Sequence, residues 1–591
     1  MRRLAQSGKI GEQRYESLLK YLNNYKKESI LGPLFKLLEA SFELLIPIVM
    51  ANIIDVGIKS RDTGYVLRMG VLMAALGLIG LTCSLTAQYF AAKAAVGFGT
   101  ALRHDLFVHI QKFSYTEIDK MGTSTLMNRM TNDVNQVQSG VNLVLRLFLR
   151  SPFIVFGAMV MAFTINVPGA LIFVVTIPLL SLVVFGVMMF SIPMYKKVQS
   201  RLDKVLQMTR ENLTGVRVIR AFNKQMSEKE AFIQANDALV RQQIFVGKIS
   251  AAMNPVTYVL INGAVIVLIW TGAIEVSGGI ITQGEVVALV NYMSQILVEL
   301  VKLANLIINI TKSLACAKRI ESVLKMEASL KEGNASDGVS KAVPAVEFSH
   351  VCFKYDGAGE DSLTDIDFTV NKGETIGIIG GTGSGKTSLI NLIPRFYDAT
   401  GGLVRIDGVD VKDYTFEALR DKIGIVPQKA VLFKGTIADN LRWGKADATK
   451  DEMEAAIKAA QAGEIIKAKD GGLDASVLAG GRNFSGGQRQ RLTIARALVR
   501  RPEILILDDS ASALDYATDA KLRKAIEALD GDMTVFIVSQ RTASVWHADK
   551  IIVLEDGKIA GIGTHEVLLA GCETYQEIYY SQFPKEGGQN A

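Results

Sequence analysis

The sequence predicts a multidomain membrane protein in which an all-α domain of six membrane-spanning helices precedes an α/β domain. The first observation is an uncharged run of 45 residues from Ser151 to Tyr195, since one bilayer crossing needs only about 20 apolar residues. The second is the alternation of short apolar strands with helices after residue 345, where a glycine-rich loop follows one strand. The two patterns fall in different halves of the chain, so we expect two domains.

The composition excludes several classes of protein. Of 591 residues, 49% are hydrophobic and 21% are charged, and the mean hydropathy is +0.25, so the chain is too apolar to be disordered. The four cysteines lie far apart in the sequence, which excludes a disulfide scaffold and a CxxC pair. The five histidines have no ligand spacing, so we do not expect a zinc or non-haem iron enzyme.

The net charge of +6 combines a basic half and an acidic half. Residues 1–325 carry a net charge of +14, and residues 326–591 carry −8. A basic half raises the question of nucleic acid binding. Here the basic half is also the hydrophobic half, so membrane-flanking residues explain the charge better, and we expect no nucleic acid partner.

Six apolar segments supply the crossings of the first domain, which we place at residues 1–325. The uncharged run contains two of them, because Asn166-Val167-Pro168-Gly169 is a turn signal. The alternative, buried helices of a soluble protein, does not account for six such segments. The predicted crossings lie near residues 31–57, 66–98, 137–165, 168–194, 246–273 and 284–310.

The placement of lysine and arginine predicts the orientation in the membrane. The first 30 residues contain seven of these residues, and the segments 99–136 and 195–245 are also rich in them. The opposite loops are poor in them, with none in 166–169 or 274–283. We therefore expect a multi-pass protein of the inner (plasma) membrane with both termini and the second domain in the cytoplasm. We expect an interfacial helix at 13–28 and no cleavable leader.

A polar, glycine-containing stretch over residues 326–344 predicts a linker, and the second domain follows over 345–585. Its strand TIGIIG (375–380) leads into a segment, Gly380–Thr387, that matches G-x-x-x-x-G-K-[ST]. Glycines let backbone N–H groups face a phosphate, and the N-terminus of the next helix adds positive potential. The residues predicted to hold the phosphates are Gly380, Thr382, Gly383, Ser384, Gly385, Lys386, Thr387 and Ser388.

A second apolar run, ILILDDS over residues 504–510, predicts a central strand that ends at Asp508. Asp508 lies 122 residues after Lys386 in the sequence. In the predicted site, Lys386 reaches the β- and γ-phosphates, and the Thr387 hydroxyl and the Asp508 carboxylate lie beside Mg²⁺. The expected ligands are therefore a nucleoside triphosphate and Mg²⁺.

Between these two motifs, Phe484-Ser485-Gly486-Gly487-Gln488 resembles the LSGGQ signature of the ATP-binding cassette (ABC) family. The resemblance extends over almost the whole chain and is closest to the half-transporters of ABC exporters. It implies that ATP is bound, that Tyr355 stacks on adenine, and that Gln428 contacts Mg²⁺ and the membrane domain. It also identifies Ser512–Asp515 as the D-loop.

The same resemblance implies a dimer, because ATP in this family lies between the phosphate-binding motifs of one domain and the signature of another. The residues that complete the site of the partner half-transporter are Ser485, Gly486, Gly487, Gln488 and Asp515. By resemblance, the segments near Tyr115–Met121 and Thr214–Phe222 are coupling helices that dock on nucleotide-binding domains, the second on the partner's. Their alternative interpretation is solvated loop.

Two catalytic positions depart from the family pattern. Asp509 stands where the family usually has the glutamate that acts as general base, and Gln540 stands where it usually has histidine. An aspartate is shorter by one methylene, and misplacing a base by about 1 Å can cost around 10²-fold in rate. Glutamine can donate a hydrogen bond to the γ-phosphate but carries no positive charge. Ala479, where many members have glutamate, suggests altered coupling between the two domains.

Both departures occur in one chain whose binding residues are intact, which resembles the degenerate-site subunit of heterodimeric ABC exporters. The alternative is a homodimer with slow turnover. We expect an ATP-hydrolysing exporter subunit, weak in hydrolysis at its own site, that moves a hydrophobic or amphipathic compound, drug, lipid or peptide in contact with membrane lipids. The alternatives are an importer of a siderophore-like compound and a non-hydrolysing, nucleotide-gated regulator.

Charged residues within the predicted spans are candidates for a substrate path. Glu39 and Glu43 lie one helical turn apart in the first span, and Glu299 and Lys302 lie in the sixth. The alternative is that they form structural ion pairs near the inner leaflet, and the sequence favours this second interpretation.

Overall fold

The computed structural model describes residues 18–336, 343–510, 512–529 and 532–583. Three sequence predictions lie partly outside these ranges: the interfacial helix at 13–28, the linker at 326–344, and the end of the second domain at 585. The four basic residues before Leu18 lie outside them as well.

In the described part of the first half of the chain, six helices are long and apolar enough to cross a membrane. The most apolar stretch of each has a mean hydropathy between 1.5 and 2.7. They run over Leu18–Ile58, Thr63–Gln111, Thr123–Ile165, Val167–Thr214, Gln225–Ser277 and Gln283–Leu324. Most extend beyond the apolar segments identified in the sequence, because polar residues at their ends continue the helical hydrogen bonding.

Two of these helices are irregular. The first begins with a 3₁₀ segment over Leu18–Tyr25 and ends with a π-helical turn over Ile53–Ile58. The third contains two π-helical turns, Arg129–Asp133 and Val144–Phe148. Between the third and fourth helices, Asn166 Oδ1 accepts a hydrogen bond of 2.6 Å from Gly169 N, so the expected turn is also a helix cap.

Two short helices interrupt the polar segments between the spans, at Tyr115–Met121 and Val216–Ala221. The chain forms two structural units. One comprises the residues up to Gln111 together with Ser124–Met326, and the other comprises Lys112–Thr123 together with the residues from Glu327 onward. The helix Tyr115–Met121 therefore packs with the second unit.

Within the first unit, the first helix packs along the second, and the fourth along the fifth. The sixth helix contacts all five of the others. Its buried side chains, Tyr292, Met293 and Ile296 among them, form a common core with Phe173 of the fourth helix.

The second unit is an α/β structure with a six-stranded sheet, a four-stranded sheet and a two-stranded ribbon. Its strands are β1 (Val346–Phe353), β2 (Leu363–Val370), β3 (Thr375–Gly380), β4 (Gly401–Ile406), β5 (Val409–Asp410), β6 (Ile423–Val426), β7 (Gly435–Thr436), β8 (Ser476–Val477), β9 (Ile504–Asp508), β10 (Thr534–Val538), β11 (Lys550–Glu555) and β12 (Lys558–Gly563). Its helices after the linker are Lys386–Leu392, Phe416–Asp421, Ile437–Arg442, Lys450–Ala459, Gly463–Lys467, Gly486–Leu498, Tyr516–Glu527, Thr542–Val545, His565–Gly571 and Glu573–Gln582.

The larger sheet has the strand order β12-β11-β3-β10-β9-β6. Its neighbouring strands are parallel except for β12, which pairs with β11 in the antiparallel direction. All five residues of β9 are buried, as expected for a strand covered on both faces. Because the parallel strands share one direction, their carboxyl ends meet at one edge, which is where α/β sheets bind ligands.

Candidate nucleotide-binding site

Four loops converge at the carboxyl edge of this sheet. β3 ends at Gly380, β6 is followed closely by Gln428, β9 ends at Asp508, and β10 is followed closely by Gln540. The loops surround a cleft of about 780 Å³. The sequence separates these residues by up to 160 positions, and the parallel strand order brings them together.

The glycine-rich loop has the conformation that a phosphate site requires. Gly383 (φ = +86°) and Gly385 (φ = +96°) lie in the left-handed region that disfavours side chains, and Gly385 directly precedes the helix Lys386–Leu392. Lys386 Nζ donates to the carbonyl oxygens of Gly380 (2.8 Å) and Gly381 (2.6 Å). Burial lowers the pKa of Lys386, while the nearby Asp509 and Asp508 act in the opposite direction. The Lys386 ammonium group is thus buried and is held by the backbone of the glycine-rich loop.

The metal ligands predicted from the sequence are adjacent. Thr387 Oγ1 lies 3.3 Å and 3.4 Å from the two carboxylate oxygens of Asp508. Burial raises the pKa of Asp508, as does the neighbouring Asp509, whereas the contact with Thr387 lowers it. A hydroxyl and a carboxylate that converge in this way are hard oxygen ligands of the kind that Mg²⁺ uses in phosphate sites. The residues therefore fit the metal.

Asp509 occupies an unusual backbone position. Its φ of +44° is left-handed, and its N–H donates to Val538 O at 3.0 Å. Gln428 Nε2 donates to Asp509 Oδ2 at 3.4 Å. Aspartate tolerates left-handed conformations better than longer side chains do. The carboxylate of Asp509 therefore points toward Gln428, and both residues line the cleft.

Tyr355 also lines the cleft, and its hydroxyl is 3.0 Å from Ser388 Oγ. Its ring makes edge contacts with Phe353 and Tyr397, with centroid distances of 4.7 and 5.3 Å. The aromatic ring is thus held in a fixed orientation beside the phosphate loop, as a base-stacking residue requires.

The structure brings most of the predicted nucleotide-site residues together. Those that line the cleft are Tyr355, Thr382, Gly383, Gly385, Lys386, Thr387, Ser388, Gln428, Asp508, Asp509 and Gln540. Gly380 and Ser384 belong to the same loop but are buried and do not line the cleft. Ser384 Oγ accepts a hydrogen bond of 3.3 Å from Lys386 Nζ.

Seven further residues line the same cleft and were not predicted: Glu360, Asp361, Ser362, Val538, Ser539, Asp556 and Gly557. The Asp-Gly pair was available as a signal, because this dipeptide between two apolar runs is typical of a hairpin turn. It joins β11 to β12 at the carboxyl end of β11, and Gly557 O accepts a hydrogen bond of 2.8 Å from Thr364 N.

The signature residues do not line this cleft. Ser485 and Gly486 are exposed, and Ser485 caps the helix Gly486–Leu498 through hydrogen bonds with Gln488 in both directions. A side chain at Gly487 would approach Ala513 O within 3.0 Å, so glycine there lets the signature pack closely against the D-loop. Asp515 in turn caps the helix Tyr516–Glu527, and hydrogen bonds from Thr518 lower the pKa of Asp515. The signature thus presents an uncovered helix N-terminus.

The short helix Tyr115–Met121 packs on the nucleotide unit next to Tyr355. Tyr115 contacts Phe396 (ring centroids 4.8 Å apart), and Tyr397 Oη donates to Asp119 Oδ2 at 2.7 Å. At its start, Ser329 of the linker donates from its N–H to Glu117 Oε1 at 3.1 Å. Burial raises the pKa of Glu117, but hydrogen bonds from Ser114 and Ser329 outweigh it and leave the pKa below the ordinary value.

We expect Tyr397→Phe to loosen this short helix. The change removes one hydroxyl that donates to a carboxylate, and hydrogen bonds to charged groups contribute about 1.5–3 kcal/mol. Hydrogen exchange measured by mass spectrometry should therefore be faster at residues 115–121. Tyr575→Phe, which removes a different hydroxyl 2.7 Å from His565 Nδ1, is the matched control and should leave this peptide unchanged. Equal exchange in wild type and Tyr397→Phe would contradict the expectation.

In the first unit, Arg150 lies at the centre of the charged residues noted in the sequence. Its guanidinium donates to Glu299 Oε1 and to Glu43 Oε2, each at 2.6 Å. Glu299 also accepts from Ser151 Oγ (2.8 Å) and Lys302 Nζ (2.8 Å). Glu39 pairs with Lys36. Each of the three glutamates therefore has a cationic partner, which favours the structural interpretation, and Arg150 is the member that the sequence did not reveal.

Six membrane-spanning helices followed by a phosphate-binding α/β unit define a nucleotide-dependent membrane transporter. Family models agree in both halves of the chain: the ABC transporter transmembrane region matches residues 29–300, and the ABC transporter domain matches residues 363–512.

Relatives of known sequence cover almost the whole chain. An uncharacterized ABC transporter ATP-binding protein of Mycobacterium tuberculosis is 38% identical over 576 residues, covering 96% of this chain and 97% of the relative. A putative multidrug export ATP-binding/permease protein of Bacillus subtilis is 31% identical, covering 95% and 98%. The structure of a bacterial Atm1-family ABC exporter with ATP bound superposes with a TM-score of 0.79 at 22% identity, covering 95% of this chain and all of that one, and supports the fold.

The chain belongs to the ABC transporter family. It is a half-transporter of the exporter type, a multi-pass membrane protein with one ABC ATPase domain. The family resemblance and the fold class predicted from the sequence are confirmed.

Proposed function

We propose that this chain is the degenerate-site subunit of a heterodimeric ABC exporter. The observation that carries the proposal is the combination, in one cleft, of intact binding residues with two altered catalytic positions. Lys386, Thr387 and Asp508 have the geometry of a working phosphate and Mg²⁺ site, whereas Asp509 and Gln540 stand at the positions of base and γ-phosphate contact.

The proposed roles follow from the contacts. Tyr355 stacks on adenine, Lys386 neutralises the β- and γ-phosphates, and Thr387, Asp508 and Gln428 surround Mg²⁺. Bound Mg²⁺ would supply charge neutralisation at the phosphate oxygens. The short carboxylate of Asp509 faces Gln428 Nε2, and Gln540 carries no charge, so water activation is weak while ATP is retained.

The signature supports the second half of the proposal. Ser485 and Gly486 are exposed at a helix N-terminus, which is a ready-made anion site when the helix is long enough to carry a dipole. In the assembly this end faces the ATP held by the partner half-transporter, where it completes the catalytic site. The second short helix, Val216–Ala221, has an exposed neighbour in Phe222 and docks on the partner's nucleotide domain.

The transported compound is hydrophobic or amphipathic: a drug, a lipid or a peptide. The names of relatives support this class, since one is a putative multidrug export protein and another an ATP-dependent lipid A-core flippase. We place the protein in the inner membrane, with its ABC domain and both termini in the cytoplasm.

The proposal is tested on the full chain purified alone. We expect it to bind a fluorescent ATP analogue and to hydrolyse ATP slowly. Asp509→Glu combined with Gln540→His should raise its turnover by up to about 10²-fold, because the base regains its reach and the γ-phosphate regains a cationic partner. The turnover of the unaltered chain and of the double variant is measured as the steady-state rate of phosphate release.

The matched control adds Asp508→Asn to the double variant. Loss of the Mg²⁺ ligand should abolish the gain, which assigns the gain to this site. A turnover of several per second by the unaltered chain would contradict the degenerate-site proposal and favour a working homodimer. An unchanged rate in the double variant would mean that Asp509 and Gln540 do not limit hydrolysis.

A further inference from the structure

The C-terminal helix, Glu573–Gln582, contacts the loop that carries Gln540. The side-chain amide of Gln582 makes two hydrogen bonds with the backbone of this loop. Its Nε2 donates to Gln540 O at 2.8 Å, and its Oε1 accepts from Thr542 N at 2.9 Å. One residue further, Phe583 stacks on Trp546 with ring centroids 5.8 Å apart and an interplanar angle of 21°. Gln582 therefore holds the loop itself, and Phe583 holds the end of the short helix that follows it.

The residue before Gln540 in this loop is held by the sheet rather than by the C-terminal helix. Ser539 N donates to Ile378 O at 3.1 Å, and Ser539 Oγ accepts from Arg541 N at 3.0 Å, so the loop is anchored to the sheet just before Gln540. Arg541 continues toward the D-loop, where its guanidinium lies 3.4 Å from Ser512 O and from Leu514 O. Gln540 is thus an exposed residue between two anchored neighbours.

An exposed glutamine has several rotatable bonds and little packing to restrict it. The direction of its side chain therefore depends on where its backbone is held. Before Gln540 the backbone is held by the sheet, and at Gln540 O and Thr542 N it is held by Gln582. Because Gln540 O and Thr542 N belong to the two peptide groups that flank Arg541, the two contacts fix both groups, which one hydrogen bond could not do.

We propose that Gln582 is a positioning residue that directs Gln540 toward the γ-phosphate of ATP bound in this chain. The inference rests on the proposed ATP site. It assigns to the C-terminal helix a role in distinguishing ATP from ADP, because Gln540 lines the cleft and, in the proposed site, is the residue that contacts the γ-phosphate, which ADP lacks.

The experiment measures the Kd of ATP and of ADP, each with Mg²⁺, for the purified full chain by isothermal titration. The variants are Gln582→Ala, Gln540→Ala and both together. We expect Gln582→Ala to weaken ATP binding about five- to tenfold, within the range for one typical net hydrogen bond, and to leave ADP binding within twofold. In the Gln540→Ala background, Gln582→Ala should have no further effect, since coupled residues are not additive.

Two further variants separate positioning from folding. Gln576→Ala removes an amide of the same helix that donates to Leu569 O at 2.8 Å, away from the loop, and should preserve the preference for ATP. Gln582→Glu keeps an acceptor for Thr542 N but places an oxygen against Gln540 O, so it should behave like Gln582→Ala.

Several results would overturn the inference: equal weakening of ATP and ADP binding, full additivity in the double variant, or no preference of the wild type for ATP. If the wild type binds neither nucleotide, the proposed ATP site itself fails. If it prefers ATP and Gln582→Ala does not change the preference, only the role of Gln582 fails.

Discussion

Ser485→Arg is expected to abolish most ATP hydrolysis and transport when this chain is assembled with its partner subunit, whereas Asp509→Asn is expected to leave most of both. In the proposed heterodimer, the exposed N-terminus that begins at Ser485 serves the partner's fast site, while Asp509 serves a site that retains ATP. Removing one preorganised contact to a transferring phosphoryl group costs about 10²–10³ in rate. Steady-state ATPase and vesicle transport of the two assemblies, measured side by side, check the expectation.

The helix cap needs its own control, because Ser485 also accepts a hydrogen bond from Gln488 N. Thr449 caps the helix Lys450–Ala459 through the same kind of capping box with Glu452 and lies outside the cleft. Thr449→Arg should therefore cost about 1 kcal/mol in stability and little activity. Lys386→Ala should fall between the two site variants, since it removes the retained ATP but not the partner's chemistry. If Asp509→Asn is as damaging as Ser485→Arg, this chain's own site is catalytic.

Arg150→Leu is expected to destabilise the membrane unit by about 3–5 kcal/mol, because it removes the buried cation that pairs with Glu299 and leaves that buried carboxylate with only the half-exposed Lys302. The Glu299 side chain is only 4% exposed and has hydrogen bonds from both Arg150 and Ser151. The measurement is the apparent melting temperature of the purified chain in detergent, followed by tryptophan fluorescence.

Two variants make this prediction specific. Lys302→Leu removes another cation that contacts Glu299, but its side chain is 46% exposed, so the loss should stay below about 1 kcal/mol. Adding Glu299→Leu to Arg150→Leu should recover much of the stability, since it removes the buried carboxylate that has lost its buried partner. A melting temperature unchanged by Arg150→Leu would mean that this cluster does not stabilise the fold.

The sequence predicted those site residues whose role depends only on the residues next to them in the chain. The spacing of glycines before Lys386 and the strand before Asp508 each combine a local conformation with a residue type, so both could be predicted from the sequence. Their meeting at one sheet edge follows from the parallel strand rule. The six spans were predictable for a similar reason, because hydropathy is a property of consecutive residues.

Contacts between distant segments could not be predicted in this way. Tyr397 and Asp119 are 278 positions apart, and neither sits in a motif that would suggest a partner. Gln582 is one of several polar residues in a short helix, and only the fold brings it to Gln540. Arg150 directly precedes the uncharged run, where a cation is typical of a membrane boundary, so its buried position with Glu43 and Glu299 was not apparent.

The position of the helix Tyr115–Met121 in the second unit has a consequence for how the protein is made. The ribosome completes this helix long before it reaches Phe396 and Tyr397, on which the helix packs. At synthesis rates of about 5–20 residues per second, the 278 residues between Asp119 and Tyr397 take roughly 15–55 s. During that interval the ribosome synthesises the four remaining spans. The residues on which Tyr115 packs do not yet exist. The nucleotide unit is thus discontinuous in the chain, and its folding is completed only by a segment that was synthesised before most of the membrane domain.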